Sequence, residues 1–282
     1  MFSGTSEMND MQRRPKLYIW KNSRLYIGIS HLPFRRYTLA WSQLLVSVKG
    51  SMRIQLESGA EVVSKTCMIK AGTVVSDAQV NTSNSVIAIY YFNPISQDFY
   101  ILQNNMSQAR DGVCYDHPAG DMLIRKLCYI LNETLSSDEA CQLIQDVIVP
   151  AHLRSSVVKN FDPRIIKIVL KLRDEADENL PISAYANDVN LSESRLNKLF
   201  KDQIGIPITK YRLQLRLSIG IILLAAGYKV TEAAYEAGFS SSAHFSTCFS
   251  DMIGVPPSTP FLRPPFIDAH ISEDLLRLIT GV

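Results

Sequence analysis

The sequence predicts an α+β multidomain chain: a small β-barrel or sandwich backed by helices, then an all-α domain built from a repeated unit. Three observations carry this prediction. Strand patterns with close turn signals crowd residues 17–100, the hydrophobic period becomes helical from about residue 121, and a spaced set of residues in the helical half recurs 48 or 49 positions later. At roughly 100–200 residues per domain, the 282 residues accommodate two. Strands first and helices after, without interleaving, place the two patterns in separate domains. The expected boundaries are 1–160 for the first domain (β part about 17–110, helices about 119–156), 161–265 for the second, and 266–282 for a C-terminal tail.

Residues 51–57 (SMRIQLE) alternate apolar and polar side chains, the period of a half-buried strand. Turn signals flank them at Lys49-Gly50 and Ser58-Gly59, and another follows at Ala71-Gly72. Residues 86–92 (VIAIYYF) form a continuous apolar strand that Asn93-Pro94 stops. Short strands at this spacing suit a small barrel or sandwich. Met122, Leu123, Lys126, Leu127, Ile130 and Leu131 then fall mostly on the i, i+4, i+8 rows of an amphipathic helix. Ser137-Asp138 opens a second helix carrying Leu143, Ile144, Val147 and Ile148, and so short a connection predicts an antiparallel pair. The apolar positions of this pair either pack on the barrel or offer a homodimer surface. Residues 154–160 read as a linker, and Asp162-Pro163 as an N-cap with Pro at N1. Beyond them the chain is expected to stay helical almost to its end.

Composition excludes several classes. With 46% hydrophobic and 20% charged residues the chain can bury a core and is not globally disordered. The longest strongly apolar stretch, 219–226, is far below the roughly 20 residues of a membrane span. The first sixteen residues are polar and lack the apolar middle of a signal peptide, so a soluble cytoplasmic protein without membrane partners is expected. Cys67, Cys114, Cys128, Cys141 and Cys248 are odd in number and without CxxC spacing, which argues against disulfide frameworks and zinc knuckles. His31, His117, His152, His244 and His270 are equally dispersed. Between residues 39 and 94 there is no His, and the acids are Glu57, Glu61 and Asp77, too few for a metal-holding barrel. Neither a metal, a cofactor nor a catalytic residue is expected, and the protein is not read as an enzyme.

The repeat carries the functional reading. Leu196, Phe200, Asp202, Ile204, Gly205, Ile206 and Pro207 are echoed 49 residues on by Phe245, Phe249, Asp251, Ile253, Gly254, Val255 and Pro256. Upstream the offset is 48, where Ile182, Ala186, Leu191 and Ser192 match Val230, Ala234, Phe239 and Ser240. Each unit reads as helix, tight turn, helix. Ala186 and Ala234 let two helices approach, Gly238 and Asn190 suit a left-handed turn residue, and Ser192 and either Ser240 or Ser241 can cap the second helix. Gly205 and Gly254 would close those helices.

In the helix after Ser192, one face is apolar (Leu196, Leu199, Phe200, Ile204). The opposite stripe, Ser194, Asn197, Lys198 and Lys201, offers hydroxyl, amide and ammonium groups at i, i+3, i+4 and i+7. Such groups fit a DNA major groove, where Asn can pair with adenine and Lys can donate to guanine or phosphate. The connecting helix, about 207–226, would span roughly 30 Å, close to the ~34 Å between successive major grooves on one face of a duplex. Residues 192–216 hold Arg195, Lys198, Lys201, Lys210, Arg212 and Arg216 against Glu193 and Asp202, a local charge of +4. From 239 to 255 there is no Lys or Arg, and Asp251 leaves −1.

Residues 232–239 (EAAYEAGF), followed by Ser241, His244-Phe245-Ser246, Phe249, Gly254 and Pro256, resemble the signature of the AraC/XylS transcription regulators over about 163–263. The resemblance implies a cupin-like regulatory first domain and a double helix-turn-helix second domain whose partner is double-stranded DNA. It implies that the second helix of each unit is the recognition helix, with Ser194, Arg195, Asn197, Lys198 and Lys201 in the first. In the second it implies Ser241, Ser242, Ala243, His244 and Thr247. Activation of transcription, and RNA polymerase as a further partner, are implied too. Thr247 and Ser250 depart from the pattern, where basic residues are usual. In the first domain Trp20, Trp41, Tyr90, Tyr91 and Phe92 are candidates to line an effector pocket, with barrel core as the alternative. His31 and Arg53 are candidates to orient an anionic effector.

Overall fold

Alternation within the strands places two cores on opposite faces of one large sheet. The computed structural model describes residues 14–29, 37–38, 41–56, 58–75, 80–81, 86–109, 112–155, 159–176, 178, 180–253, 256–259 and 264–275. The strands are β1 (Lys16–Ile19), β2 (Arg24–Ile29), β3 (Tyr37–Thr38), β4 (Gln43–Lys49), β5 (Met52–Gln55), β6 (Glu61–Ser64) and β7 (Thr66–Ile69). They continue as β8 (Val74–Val75), β9 (Val80–Asn81), β10 (Val86–Tyr91), β11 (Ser107–Gln108), β12 (Val113–Tyr115) and β13 (Asp268–Ile271). Eight of them pair in the order β11-β12-β7-β4-β10-β2-β1-β13, and β6-β5-β9 and β3-β8 form smaller sheets. Because side chains alternate across a strand, Leu45, Cys67, Ile69, Ile87 and Ile89 meet Met52 and Ile54 of β5 in the core between sheets. Leu44, Val46, Met68, Ala88 and Phe92 face the helices behind. Burial on both faces is why residues 86–92 read as a continuous apolar run.

The helices are α1 (Gln97–Asn105), α2 (Gly120–Asn132), α3 (Ser137–Ile148), α4 (Pro163–Asp174), α5 (Ile182–Asn187), α6 (Glu193–Ile204), α7 (Ile208–Ala225), α8 (Val230–Glu236) and α9 (Ser242–Ile253). A capping box between Ser136 and Glu139 starts α3, and Asp162 caps α4 with Pro163 in its first turn. Three hydrogen bonds from Arg164, two from its guanidinium and one from its backbone N–H, hold the Asp162 carboxyl down at about 2. The apolar stripes of α2 and α3 are spent on the sheet: Leu123, Leu127, Ile130, Ala140, Ile144 and Val147 are buried there. Of the two readings of these stripes, the structure has packing on the sheet, and it leaves Met122 and Tyr129 exposed on α2. The buried Lys16 ammonium joins β1 to the end of α2 by donating to the Ile130 carbonyl at 2.9 Å and to the Glu133 carbonyl.

The expectation of helix almost to the end is corrected by β13. It runs parallel to β1, with Lys16 opposite Asp268 and Ile19 opposite Ile271. Backbone N–H groups of Asp268 and Ser272 donate to Pro15 and Ile19 carbonyls at 2.9 and 3.0 Å, and the His270 ring stacks on Tyr18 at 4.6 Å. The reason is non-local: β1 leaves an open sheet edge, and only a segment returning from beyond α9 fills it.

The sheet and the helical bundle also touch directly. Trp41, just before β4, is buried in the core of the first helical unit with Ile165, Tyr185 and Phe200. Leu17 and Ile19 pack on Ile222 and Ala225 of α7. The Gly72 turn meets the end of α6 so closely that a Cβ there would lie 2.8 Å from the Gly205 carbonyl oxygen.

Candidate nucleic-acid interface

The first unit is α5, a turn and α6. Asn190 takes the left-handed conformation (φ 53°) that its sequence position predicts. The Leu191 N–H then donates to the Ala186 carbonyl at 3.0 Å, closing the turn over a buried Ala186. Ser192 caps α6 by accepting from the Arg195 N–H at 3.3 Å. Gly205 ends it at φ 95°, its N–H donating to the Lys201 carbonyl. Leu196, Phe200 and Ile204 point inward, while Ser194, Arg195, Lys198 and Lys201 are exposed and Asn197 is half-buried beside them. The five side chains expected to face DNA in this unit therefore share one accessible surface.

The second unit repeats the backbone. Gly238 is left-handed (φ 77°), and the Phe239 N–H donates to the Ala234 carbonyl at 3.0 Å. Of the two candidate caps, Ser241 does the work, accepting from the His244 N–H at 3.2 Å. The partner of Ser192 is therefore Ser241 and not Ser240 as expected, and the change of offset from 48 to 49 falls on Ser240, an extra residue in the turn. Phe245 and Phe249 are buried, Ala243, His244 and Thr247 are exposed, and Ser241 and Ser242 are half-buried. The His244 ring sits edge-on to Phe239 at 5.5 Å. The hydroxyls of Ser246, Thr247 and Ser250 donate to the carbonyls of Ser242, Ala243 and Ser246 at 2.8, 3.1 and 2.8 Å. Gly254 lies outside the described residues.

α7 joins the units and, at 18 residues, is ~27 Å long, close to the repeat of the major groove. Gly220 lets α9 approach it, since a Cβ there would lie 2.6 Å from the Phe245 ring. No sequence pattern singled this glycine out. The cations of the first unit divide into two groups. Arg212 donates to the Leu180 carbonyl, and Arg216 donates to the Ala176 and Glu178 carbonyls at 2.9 Å each. These two hold the α4–α5 connection, which leaves Arg195, Lys198, Lys201 and Lys210 exposed against Glu193 and Asp202, a surface of +2 in place of the expected +4. Behind the turn, Lys171 pairs with Asp188 and thereby lowers the carboxyl of Asp188 below its ordinary range.

A family description, helix-turn-helix domain, matches residues 185–261. The regulator GbdR of Pseudomonas aeruginosa is 31% identical over 96 residues, 34% of this chain and 26% of its own length. The arabinose operon regulatory protein of Escherichia coli is 34% identical over 108 residues, 38% of this chain and 37% of its own. The activator RhaS of Salmonella paratyphi B is 34% identical over 100 residues, 34% and 36% of the two chains. The helical half is similar to the DNA-binding parts of these transcription regulators. The matched segment spans only about a quarter to two fifths of these relatives. ToxT from Vibrio cholerae shares the whole fold at a TM-score of 0.51 and 15% identity, covering 89% of this chain and 98% of ToxT. The β domain and the double helix-turn-helix domain therefore occur in an arrangement already seen in a solved structure.

The effector candidates scatter. Trp20 and Trp41 both line a cavity of about 340 Å³ between the sheet and α7. Tyr90 packs into the core behind the sheet, its ring edge-on to Phe92 at 5.2 Å and burial raising its phenol to about 12. Arg53 is exposed on β5, on a different sheet. His31 lies outside the described residues. Sequence reading missed Arg24 and Arg173, which also line the cavity. Each sits in a pattern that is ordinary for a strand or an amphipathic helix, so no local signal marks it. Among the described residues no three His, Cys, Asp or Glu side chains are placed to hold a metal, and no helix is long and apolar enough to cross a membrane.

Proposed function

We propose that this protein is a sequence-specific DNA-binding transcription regulator in which α6 supplies most of the grip and α9 docks beside it in the next groove. One observation carries the reading: two backbone-equivalent turns present exposed helix faces at the two ends of α7, whose length matches the groove repeat. Ser194, Arg195, Asn197, Lys198 and Lys201 would contact bases and phosphates from α6, and Ser241, Ser242, His244 and Thr247 from α9. The similarity to RhaS, a named activator, supports activation, and the family resemblance supports RNA polymerase and a second copy of the chain as partners in the cytoplasm. The first domain, to about residue 160, would sense a small molecule, and the second, about 161–265, would bind DNA. The segment after it would return to the first domain as β13.

Selection of bound duplexes from a random pool tests the reading, followed by affinity against salt on the best site. Four exposed cations, Arg195, Lys198, Lys201 and Lys210, predict a log–log slope of about −3.6. A pool that never converges, or a slope near zero, would overturn it.

A further inference from the structure

The last turn of α6 is covered by two segments that precede the helical units in the chain. The turn after β7 is closed by the Thr73 N–H donating to the Lys70 carbonyl at 3.2 Å, and it seats Ala71 and Gly72 against Gly205, the left-handed cap of α6. The second segment leads into α4. Its Asp162 N–H donates to Oε1 of Gln203 in α6 at 3.0 Å. Three residues earlier, Gln97 of α1 holds the Lys159 backbone on both sides, accepting from its N–H at 2.9 Å and donating to its carbonyl at 2.6 Å. Both segments are thereby fixed relative to the first recognition helix.

Each segment presents a lysine, and the two lysines face one another. Lys70 lines a small recess with Tyr100 and Ile204. The Lys159 ammonium stands over the same Tyr100 ring, 4.9 Å from its centre, and 5.6 Å from the centre of Phe161. Burial first, and the like charge of Lys70 second, hold the Lys159 ammonium below its ordinary range. Lys70 is exposed and Lys159 half-buried, and among the described residues neither has a carboxylate partner. Two like charges side by side, one of them partly desolvated, cost free energy that an approaching anion would offset.

The place of this pair says which anion. α6 has 12 residues and is ~18 Å long, whereas the major groove is about 12 Å wide. The ends of a helix lying in the groove therefore reach the phosphates along its edges. The C-terminal end is the negative pole of the helix dipole and repels phosphate unless cations offset it. Lys201 supplies one cation on that turn, against Asp202 beside it, and Lys70 and Lys159 stand just beyond Gly205. They match in number the two charges, Arg212 and Arg216, that the α4–α5 connection withdraws from the first unit.

We infer that Lys70 and Lys159 are a phosphate-binding extension of the DNA interface, through which the β domain and the segment leading into α4 hold the backbone of the duplex that α6 reads. This rests on the DNA-binding reading above and deepens it. Such a contact carries no sequence information and adds the same energy on every duplex. It also ties affinity to the seating of the β domain, because Lys70 leaves the end of α6 whenever the Gly72 turn does.

Affinity of the full chain against salt, on the selected duplex and on a scrambled one, tests the proposal. The four exposed cations of the first unit account for a log–log slope of about −3.6, and six predict about −5.4. Lys70→Ala with Lys159→Ala is expected to return the slope to about −3.6 and to weaken both duplexes by about ten-fold at low salt. Lys70→Arg with Lys159→Arg should bind like the parent. Should the alanine pair fail to fold, Lys70→Glu alone, at an exposed position, should flatten the slope and weaken both duplexes. Lys65 is also exposed but lies by Cys128 of α2, so Lys65→Ala should leave the slope unchanged. An alanine pair with the parent's slope, a loss confined to the selected duplex, an arginine pair that fails to rescue, a Lys70→Glu protein that binds like the parent, or an equal fall in Lys65→Ala would each overturn the proposal. A chain that selects no duplex would overturn the DNA-binding reading itself, whereas one that selects a site with a slope the alanine pair leaves unchanged would overturn this extension alone.

Discussion

Asn190 and Gly238 occupy the same left-handed position, and Leu191 and Phe239 donate the same backbone hydrogen bond to an alanine carbonyl. Yet the helices that follow meet solvent with unlike chemistry. α6 exposes Arg195, Lys198 and Lys201, whereas α9 exposes Ala243, His244 and Thr247. What the repeat holds constant is what the backbone and the core need: a small residue where helices touch, a turn residue that tolerates positive φ, a serine cap and inward aromatic or aliphatic side chains. The outward face is under no such constraint, so it is free to diverge. Two further differences follow the same line. The hydroxyls of α9 are turned back on their own helix, and α9 lies beside β3 of the first domain.

The largest effect should come from the recognition faces themselves. Joint replacement of Ser194, Asn197 and Lys198 by Ala is expected to abolish preference for the selected site, a loss on the order of 3 kcal/mol or more from base contacts worth about 1–3 each. Replacement of Ser242 and His244 should cost about 1 kcal/mol, the range of a neutral hydrogen bond. Anisotropy titrations on selected and scrambled duplexes compare the two, and equal losses would break the asymmetry.

Next in size is Gly220→Ala, whose new Cβ would collide with the Phe245 ring. It should loosen the second unit by about 1–3 kcal/mol, as overpacking does. Hydrogen exchange is expected to quicken in 230–253 and not in 182–204. Equal quickening in both would mean that the units unfold as one. At the turns, Gly238→Ala should cost about 1–2 kcal/mol for a left-handed residue with a Cβ, whereas Asn190→Gly should shift stability by no more than about 0.5 kcal/mol. Thermal melts decide, and a large loss from Asn190→Gly would show that its side chain carries more than the turn.

The smallest effect sharpens the charge comparison. Thr247→Arg should tighten selected and scrambled duplexes alike and steepen the salt slope by about 0.9, the contribution of one phosphate. A folded variant that binds less tightly would show that the α9 face does not approach the backbone.

Much of the site could be read from the chain because its signals are short-range. The Phe, Asp, Gly and Pro echoes, the Asn190 and Gly238 turns and the Ser192 cap each depend on a few neighbouring residues, and the apolar face of α6 on a 3.6-residue period. The 86–92 strand and the Asp162-Pro163 helix start were legible for the same reason. Identical periodicity, however, says nothing of which partner an element meets. The stripes of α2 and α3 look the same whether they cover a sheet or a second chain, and here they cover the sheet.

The sequence by itself determined the duplicated unit, the unequal charge of the two outward helix faces and the order of strands before helices, since propensity, capping and local charge operate within a turn or two of the backbone. Only the tertiary structure decided which cations are spent. Arg212 and Arg216 read as phosphate contacts until the carbonyls of Ala176, Glu178 and Leu180, thirty-two to forty positions away, are brought against them. Likewise the strand at Asp268–Ile271 exists because β1 offers it an open edge, and Arg24 lines a cavity because helices from the far half of the chain close over it. Burial and pairing depend on residues remote in sequence, and remote partners leave no mark on local pattern.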